Sequence, residues 1–235
     1  MQTVLITGSA KRLGRGLAIE FAKKGWDIIL HYNHSQNEAD ETAKQIKKYG
    51  VRVFPIQFDL ANYKSIEDGF EKIKSEFPFP NVLINNAGVF PPMTTLQELT
   101  EDAWNSIMSV NLNAHLFTAK FFTKYAEENS RIINIASVGG LEVWKHRIPY
   151  NVSKAGVIKL TRVLAKELAP KFSVNSISPG TITFDEDPVN DSAEKYPMKR
   201  FATVQDIFDA VYFFATATNY ITGQNLCVDG GFTLK

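Results

Sequence analysis

The sequence predicts an α/β fold, in which one doubly wound domain is built on a parallel seven-stranded sheet with helices on both faces. Seven short apolar runs recur along the 235 residues, and most are separated by stretches whose apolar residues recur three and four positions apart. Strands that alternate with helices are joined by right-handed crossovers, which produce a parallel sheet covered on both sides. Because no repeat, low-complexity tract or linker interrupts residues 1–235, a single domain is expected.

The predicted strands are, in chain order, TVLIT, DIILHY, VRVFPIQF, NVLIN, RIINIAS, SVNSIS and NLCVDG. After the first strand, LGRGLAIEFAKKG predicts a helix with Leu13, Leu17 and Phe21 on one side, and Gly25 is typical of a helix C-cap. A more polar helix follows the second strand and ends at Gly50. A long helix containing VNLNAHLF is expected between the fourth and fifth strands.

Composition excludes several classes of function. The formal net charge of +1 does not indicate a basic surface for binding nucleic acid or an anionic membrane. No stretch approaches the roughly 20 apolar residues of a membrane span, and no secretory signal is recognised. Cys227 is the only cysteine and cannot form an internal disulfide, which fits a reducing compartment. A cytoplasmic protein is therefore expected.

A glycine-rich turn joins the first predicted strand to the first predicted helix. Gly8, Gly14 and Gly16 leave a wider gap than the dinucleotide signature G-x-G-x-x-G. Free backbone N–H groups and the helix dipole favour a pyrophosphate at such a turn. Taken alone, the loop is equally compatible with cofactor binding and with a plain strand-to-helix turn.

The end of the second strand favours NADP(H) over NAD(H). NAD-binding domains place an acid there to bind the ribose 2′-hydroxyl, but this chain has none before Glu38. The sequence offers imidazole, amide and hydroxyl groups instead, at His31, Asn33, His34 and Ser35. Lys11 and Arg12 of the glycine loop should lie nearby, and such a cluster suits a 2′-phosphate. The predicted cofactor is NADP(H), with Arg12 as a ligand and Lys11 solvated.

A metal site is not expected. On a strand, His31 and His34 point to opposite faces, and neither a cysteine nor an acidic pair adjoins them. His115 and His146 are isolated in the sequence.

Further motifs occur in a fixed order: TGSAKRLG, FDLAN, NNAG, VNLNAHLF, IINIAS, YNVSK, SVNSISPG and ITGQNLCVDGG. Each is weak alone, but their order, with Ser137 thirteen residues before Tyr150, is specific. This set resembles the short-chain dehydrogenase/reductase family along essentially the whole chain. The resemblance implies a Rossmann fold and NADP(H)-dependent oxidoreductase activity.

Four residues are expected to carry catalysis. Tyr150 and Lys154 share a helix face because they are four residues apart. A free tyrosine has a pKa of about 10, and a nearby ammonium would lower it, so that Tyr150 can exchange a proton with a carbonyl oxygen. Ser137 would hold that oxygen by a hydrogen bond. The resemblance further implies that Lys154 binds the nicotinamide ribose and that Asn111 anchors a water leading protons to Lys154.

The resemblance also implies the cofactor contacts. Asp59 would meet the adenine ring, and the segment from Pro179 would lie against the nicotinamide, with the Ile182 backbone at the carboxamide. The expected cofactor-binding set is Gly8, Ser9, Arg12, Leu13, Asn33, His34, Ser35, Asp59, Leu60, Asn85, Ala87, Gly88, Tyr150, Lys154, Pro179, Gly180 and Ile182.

Two positions depart from the family pattern. Arg12 stands where the middle glycine of T-G-x-x-x-G-x-G belongs, and Phe184 stands where threonine often follows Ile182 by two residues. The arginine form of the loop, followed by HYNHS, resembles the pteridine reductase branch, in which the arginine also faces the substrate. Phe90 matches an aromatic residue that stacks on the pterin there. However, that branch carries aspartate where this chain has Ser137, the usual residue for ketone and 3-oxoacyl reduction.

The leading hypothesis is therefore an NADPH-dependent reductase of a small-molecule ketone or 3-oxoacyl-type carbonyl. A pteridine reductase is the second. A non-catalytic NADP(H)-binding regulator is the third, although four intact catalytic residues argue against it. A nucleic-acid binder is disfavoured by the near-neutral charge.

The substrate pocket is expected to be bounded by Phe90, Ser137, Trp144, Tyr150 and Phe184. Residues 181–198 are rich in Asp, Pro and Ser and are predicted to form a mobile loop over it. An acidic rim at Asp185, Glu186 and Asp187 would disfavour a carrier-protein or coenzyme A thioester, which brings negative charge.

A homotetramer or homodimer is expected. Trp104, Ile107, Phe117 and Phe121 supply more apolar surface than one sheet face needs. The resemblance places a symmetric interface on this helix and on the helix that follows Tyr150.

Overall fold

The computed structural model describes residues 2–184 and 192–234 of the chain. Its seven strands are β1 (Thr3–Ile6), β2 (Asp27–Tyr32), β3 (Val53–Gln57), β4 (Val82–Asn85), β5 (Arg131–Ile135), β6 (Ser173–Pro179) and β7 (Asn225–Val228). They form one sheet in the order β3-β2-β1-β4-β5-β6-β7, and every neighbouring pair is parallel. The predicted parallel seven-stranded sheet is confirmed.

The α-helices are α1 (Arg12–Lys23), α2 (Gln36–Lys47), α3 (Tyr63–Glu76), α4 (Glu101–Met108), α5 (Ala114–Tyr125), α6 (Ile148–Leu168) and α7 (Val204–Thr216). Two apolar cores lie on opposite faces of the sheet. One contains buried residues of α1, α2 and α7, and the other contains buried residues of α3, α5 and α6. The predicted ends of the first two helices are also confirmed, since Gly25 and Gly50 take φ angles of +80° and +75° just beyond α1 and α2.

The long helix expected around VNLNAHLF is interrupted. Residues Ser109–Asn113 form a π-helical turn between α4 and α5. Such turns are wider than α-helical ones and are frequent at functional sites. Here the wide turn carries Asn111, which is fully buried.

The apolar residues expected to form a subunit interface are used largely inside the protein. Ile107 and Phe121 are 7% and 3% exposed, and Phe121 belongs to the core on the α5 side of the sheet. Phe117 packs edge-on against Tyr63, with ring centroids 5.0 Å apart. Only Trp104 of the four has neither role, so the sequence-based argument for excess apolar surface is wrong.

The acidic rim expected at Asp185, Glu186 and Asp187 lies outside the described residues, as does the centre of the loop expected at 181–198. Across the described ranges, no helix has the length and apolar character needed to cross a membrane.

Candidate active site

The candidate site lies at the carboxyl edge of the sheet, where ligands of doubly wound folds bind. Because all strands are parallel, the segments that follow β1, β4, β5 and β6 meet at this edge. They carry the glycine loop, the NNAG turn, Ser137 and the segment after Pro179, in that order.

Ser137, Tyr150 and Lys154 come together as predicted. Ser137 follows β5, is 6% exposed and accepts a hydrogen bond from the Gly139 N–H at 3.0 Å. Tyr150 and Lys154 lie in α6, and the Lys154 Nζ donates to the Ile135 carbonyl at 2.8 Å. Burial lowers the pKa of Lys154 to about 8.

Tyr150 has a pKa raised above its ordinary value, because burial outweighs two opposing effects. A hydrogen bond with the Ser137 side chain lowers it, as does the positive charge of Arg147. We expected Lys154 to be the cation acting on the phenol, but its ammonium is directed to the Ile135 carbonyl. The neutral phenol favoured here is the form that can donate a proton.

Asn111 lies beside this group. Its side-chain amide donates to the Val89 carbonyl at 2.9 Å and accepts from the Val89 N–H at 2.7 Å. A Cβ built on Gly88 would lie 3.4 Å from Asn111 Oδ1 and 3.5 Å from Lys154 Nζ. Gly88, Asn111 and Lys154 therefore lie side by side, at van der Waals distance.

A buried polar chain that the sequence analysis missed holds α5 and α6 to the sheet. The Thr118 hydroxyl donates to Asn85, the Asn85 amide donates to Asn134, and the Asn134 amide donates to Thr161, at 2.8, 3.0 and 2.9 Å. Asn85 is 1% exposed, so its side chain stabilises the sheet and does not line a cofactor. The signal in the sequence was a polar residue within each of two otherwise apolar strands, NVLIN and RIINI.

Gly140 also positions α6. A Cβ on this residue would lie 2.6 Å from the Lys154 carbonyl carbon. The turn after Ser137 therefore packs backbone to backbone against the helix that carries Tyr150 and Lys154. Sequence reasoning did not single out this glycine.

The glycine loop is tied to the NNAG turn. The Thr7 hydroxyl accepts from the N–H groups of Asn86 and Ala87 at 2.9 and 3.0 Å. Gly8 takes a φ of +64°, and a Cβ on Gly14 would lie 2.2 Å from the Gly8 carbonyl oxygen. Glycine is required at both positions, by backbone angle at the first and by close approach at the second.

His31 supports the loop from below and is not a phosphate donor. It is 1% exposed, its Nδ1 accepts from the Gly8 N–H at 3.0 Å, and its Nε2 lies 3.0 Å from the Phe58 carbonyl. Because Nδ1 accepts, Nε2 carries the proton and donates. Burial lowers the pKa of His31 to about 4, so the ring is neutral.

The adenosine end of the expected cofactor site is partly assembled. The Asn33 amide donates to the Asp59 carboxylate at 3.3 Å, which joins the ends of β2 and β3. Ser35 is half-buried and His34 is exposed. Leu60 is 6% exposed and packs into the core, so only its backbone is available to a ligand.

The nicotinamide end of the expected cofactor site is the segment after β6. The Gly180 N–H donates to the Val228 carbonyl at 3.0 Å, and Ile182 pairs with Ala202. The guanidinium of Arg12 lies 4.5 Å from the centroid of the Phe184 ring. Arg12 therefore links the glycine loop to the far side of the site.

The expected substrate residues divide into two groups. Phe90 meets Tyr150 edge-on at 4.7 Å, and Trp144 stacks on Tyr150 at 5.9 Å with an interplanar angle of 9°. Phe184 lies with Arg12. Tyr150, the expected proton donor, is thus bounded by two aromatic rings.

Comparison with known proteins agrees with this arrangement. The family model described as enoyl-(acyl carrier protein) reductase matches residues 8–233. The 3-oxoacyl-(acyl-carrier-protein) reductase FabG of Staphylococcus epidermidis is 31% identical over 240 aligned positions, covering 98% of this chain and 98% of that protein. The chain belongs to the short-chain dehydrogenase/reductase family.

Solved structures of similar proteins extend the comparison. This short-chain dehydrogenase/reductase is similar to a blue fluorescent protein from a metagenomic library in complex with NADPH, with TM-score 0.92, 28% identity and 99% and 98% of the two chains covered. It is also similar to the promiscuous reductase LugOII, with TM-score 0.91, 28% identity and the same coverage. The protein is an NADP(H)-dependent oxidoreductase.

The residues present fit NADP(H). A Cβ on Gly180 would lie 3.0 Å from the Asp229 Cα, so the segment after β6 packs closely against the end of β7. The glycine loop, tightly turned at Gly8 and Gly14, leads into the N-terminus of α1, whose free N–H groups suit the charged phosphates of a dinucleotide.

Proposed function

We propose that this enzyme reduces a ketone carbonyl, with Tyr150 as the proton donor. The observation that carries the proposal is the meeting of the Ser137 and Tyr150 hydroxyls beside the buried Lys154. NADPH supplies the hydride when it is bound. Ser137 holds the carbonyl oxygen, and the Tyr150 hydroxyl, which lies beside the Ser137 side chain, gives it a proton. Lys154 binds the nicotinamide ribose, and Asn111 anchors the water that resupplies the proton.

The relatives support a ketone. The S. epidermidis relative is named a 3-oxoacyl-(acyl-carrier-protein) reductase, and LugOII catalyses keto-reduction at C1 during lugdunomycin biosynthesis. The exclusion of a carrier-protein thioester rests on Asp185, Glu186 and Asp187, which lie outside the described residues, and it stays a prediction.

A pteridine reductase is the second candidate. Two contacts favour it: Phe90 lies against Tyr150, and Arg12 lies over Phe184 on the substrate side. Against it stands Ser137, because serine cannot share a proton with a ring nitrogen as readily as an aspartic acid can.

A turnover panel with NADPH tests this choice. We expect reduction of ketones and little reduction of dihydropterins, and we expect Ser137→Asp to lose ketone activity without gaining dihydropterin activity. Asp209→Ser is the control, because it exchanges aspartate and serine at an exposed position of α7, away from the site. Strong dihydropterin reduction with none of any ketone would transfer the assignment to the second candidate.

Substitution can distinguish the roles of Lys11 and Arg12, the two cations of the glycine loop. The sequence led us to expect a solvated Lys11 and a contact between Arg12 and the 2′-phosphate. Because the Arg12 guanidinium lies over the Phe184 ring, the exposed Lys11 is the better candidate, and we expect Lys11→Ala to weaken NADPH but not NADH binding by about tenfold. We expect Arg12→Gly to raise the KM of the ketone and to leave the preference for NADPH unchanged. Isothermal titration and steady-state kinetics measure the two effects. A selective loss of NADPH in Arg12→Gly would instead support the 2′-phosphate contact predicted from the sequence.

Backbone geometry gives a second test at Arg12, whose φ of +53° is one that L-residues rarely adopt. An arginine retained in a glycine conformation indicates a functional side chain. Arg12→Gly should therefore be more stable than Arg12→Ala by about 1 kcal/mol in chemical denaturation, since both lose the guanidinium but only alanine keeps the strain.

We also propose a homotetramer or homodimer. In place of the four residues first considered, α5 exposes Leu116, and α6 exposes Val152 and Val163, with exposed fractions of 40%, 44% and 51%. Light scattering should give a multiple of the 26.4 kDa chain mass, and Leu116→Glu should lower it. A monomer mass at micromolar concentration would contradict the proposal.

A further inference from the structure

Arg147 is a residue that the sequence analysis did not consider. It immediately precedes α6, three positions before Tyr150. Its guanidinium lies 4.2 Å from the centroid of the Phe90 ring, within the range of a cation–π contact. Its Nη1 also donates a hydrogen bond to the Pro91 carbonyl. One side chain thus contacts both the ring and the backbone of the segment beside the proton donor.

The segment that carries Phe90 needs contacts with other parts of the protein to hold its conformation. Residues 86–95 lie in neither helix nor strand, and Phe90 is 57% exposed. An exposed aromatic residue on an irregular loop loses rotamer freedom only if other groups hold it. A second hydrogen bond joins residues 86–95 to the residues just before α6: the Thr94 N–H donates to the His146 carbonyl at 3.0 Å.

The held ring completes an aromatic corner formed by Phe90, Trp144 and Tyr150. Phe90 is edge-on to both other rings, with centroid distances of 4.7 Å to Tyr150 and 6.3 Å to Trp144. The Asn151 amide donates to the Trp144 carbonyl at 2.9 Å, which ties the second wall to α6 as well. The exposed part of the Phe90 ring is therefore a flat apolar surface beside the Tyr150 ring, whose hydroxyl is the proposed proton donor.

We propose that Arg147 is a positioning and specificity-determining residue, which holds Phe90 against Tyr150 so that the aromatic corner selects ketones whose carbonyl is joined to a flat ring. The proposal rests on the ketone reduction proposed above. A rigid flat wall gains most from a flat partner, which stacks on it without losing rotamer freedom. An open-chain ketone must order its torsions to use the same wall.

The experiment compares α-tetralone, a flat bicyclic aryl ketone, with an open-chain methyl ketone of the same carbon number. We expect the unmodified enzyme to prefer α-tetralone in kcat/KM. Arg147→Gln and Phe90→Leu should each lower kcat/KM for α-tetralone by about tenfold, mainly through KM, with a much smaller effect on the open-chain ketone. Arg147→Lys should recover little, because an ammonium lacks the planar fork that lies over a ring and reaches a carbonyl.

The double variant decides whether Arg147 acts through Phe90. If it does, Arg147→Gln combined with Phe90→Leu loses no more than Phe90→Leu alone, since the effects of coupled residues are not additive. NADPH affinity, measured by fluorescence titration, should be unchanged in all variants, which also reports that each is folded. Lys145→Gln is the control, because Lys145 is exposed and two residues away.

Three results would overturn the inference while leaving ketone reduction in place: no preference for α-tetralone, equal losses for both ketones in Arg147→Gln, or additive losses in the double variant. Failure of the unmodified enzyme to reduce any ketone would instead overturn the proposed function.

Discussion

Tyr150→Phe is expected to lower the rate of ketone reduction by about 10²–10⁴, the usual contribution of a general acid. The substitution removes only the hydroxyl, so the ring contacts with Phe90 and Trp144 remain and the fold should be unaffected. NADPH binding should stay nearly intact, because the hydroxyl holds little of the cofactor. Single-turnover oxidation of bound NADPH measures the rate, and fluorescence titration measures the affinity.

Tyr220→Phe is the matched control, since Tyr220 is 95% exposed and distant in the sequence from the site residues. It should behave like the unmodified enzyme. Retention of more than about a tenth of the rate in Tyr150→Phe would mean that the proton comes from another group.

Lys154→Met should damage both the rate and the binding of NADPH. Methionine keeps most of the buried volume, but the ammonium and its hydrogen bond to the Ile135 carbonyl are lost. A hydrogen bond from a charged group is worth about 1.5–3 kcal/mol, so NADPH should bind at least about tenfold more weakly. Lys159→Met, at an exposed position of the same helix, should have no effect.

The pH dependence of NADPH binding isolates the same ammonium. The pKa of Lys154, lowered by burial to about 8, means that the group is charged below this pH and neutral above it. NADPH affinity of the unmodified enzyme should therefore fall as pH rises through about 8. In Lys154→Met, the NADPH affinity should not change over this pH range. The 2′-phosphate does not contribute, because its second pKa is near 6 and it is fully ionised in this range. A flat profile in the unmodified enzyme would contradict the electrostatic role of Lys154.

Much of the fold could be predicted from local pattern. Each of the seven strands was a short apolar run, and Gly25 and Gly50 ended the first two helices as expected. These features depend on residues close together in the chain, whose periodicity and backbone preferences are visible in the sequence. The π-helical turn at Ser109–Asn113 was not visible, because no local preference distinguishes it from an α-helix.

The sequence by itself determined the family, the parallel sheet, and the positions of Ser137, Tyr150 and Lys154. The tertiary structure alone decided which partner each polar side chain finds. His31, expected near a phosphate, is buried under Gly8, which lies 23 residues earlier, and Arg147 reaches Pro91 across 56 residues. The physical reason is that burial, charge and hydrogen bonding depend on atoms brought together by the sheet order. Motif spacing therefore predicts Tyr150 as the proton donor, whereas packing at the carboxyl edge of the sheet determines what surrounds it.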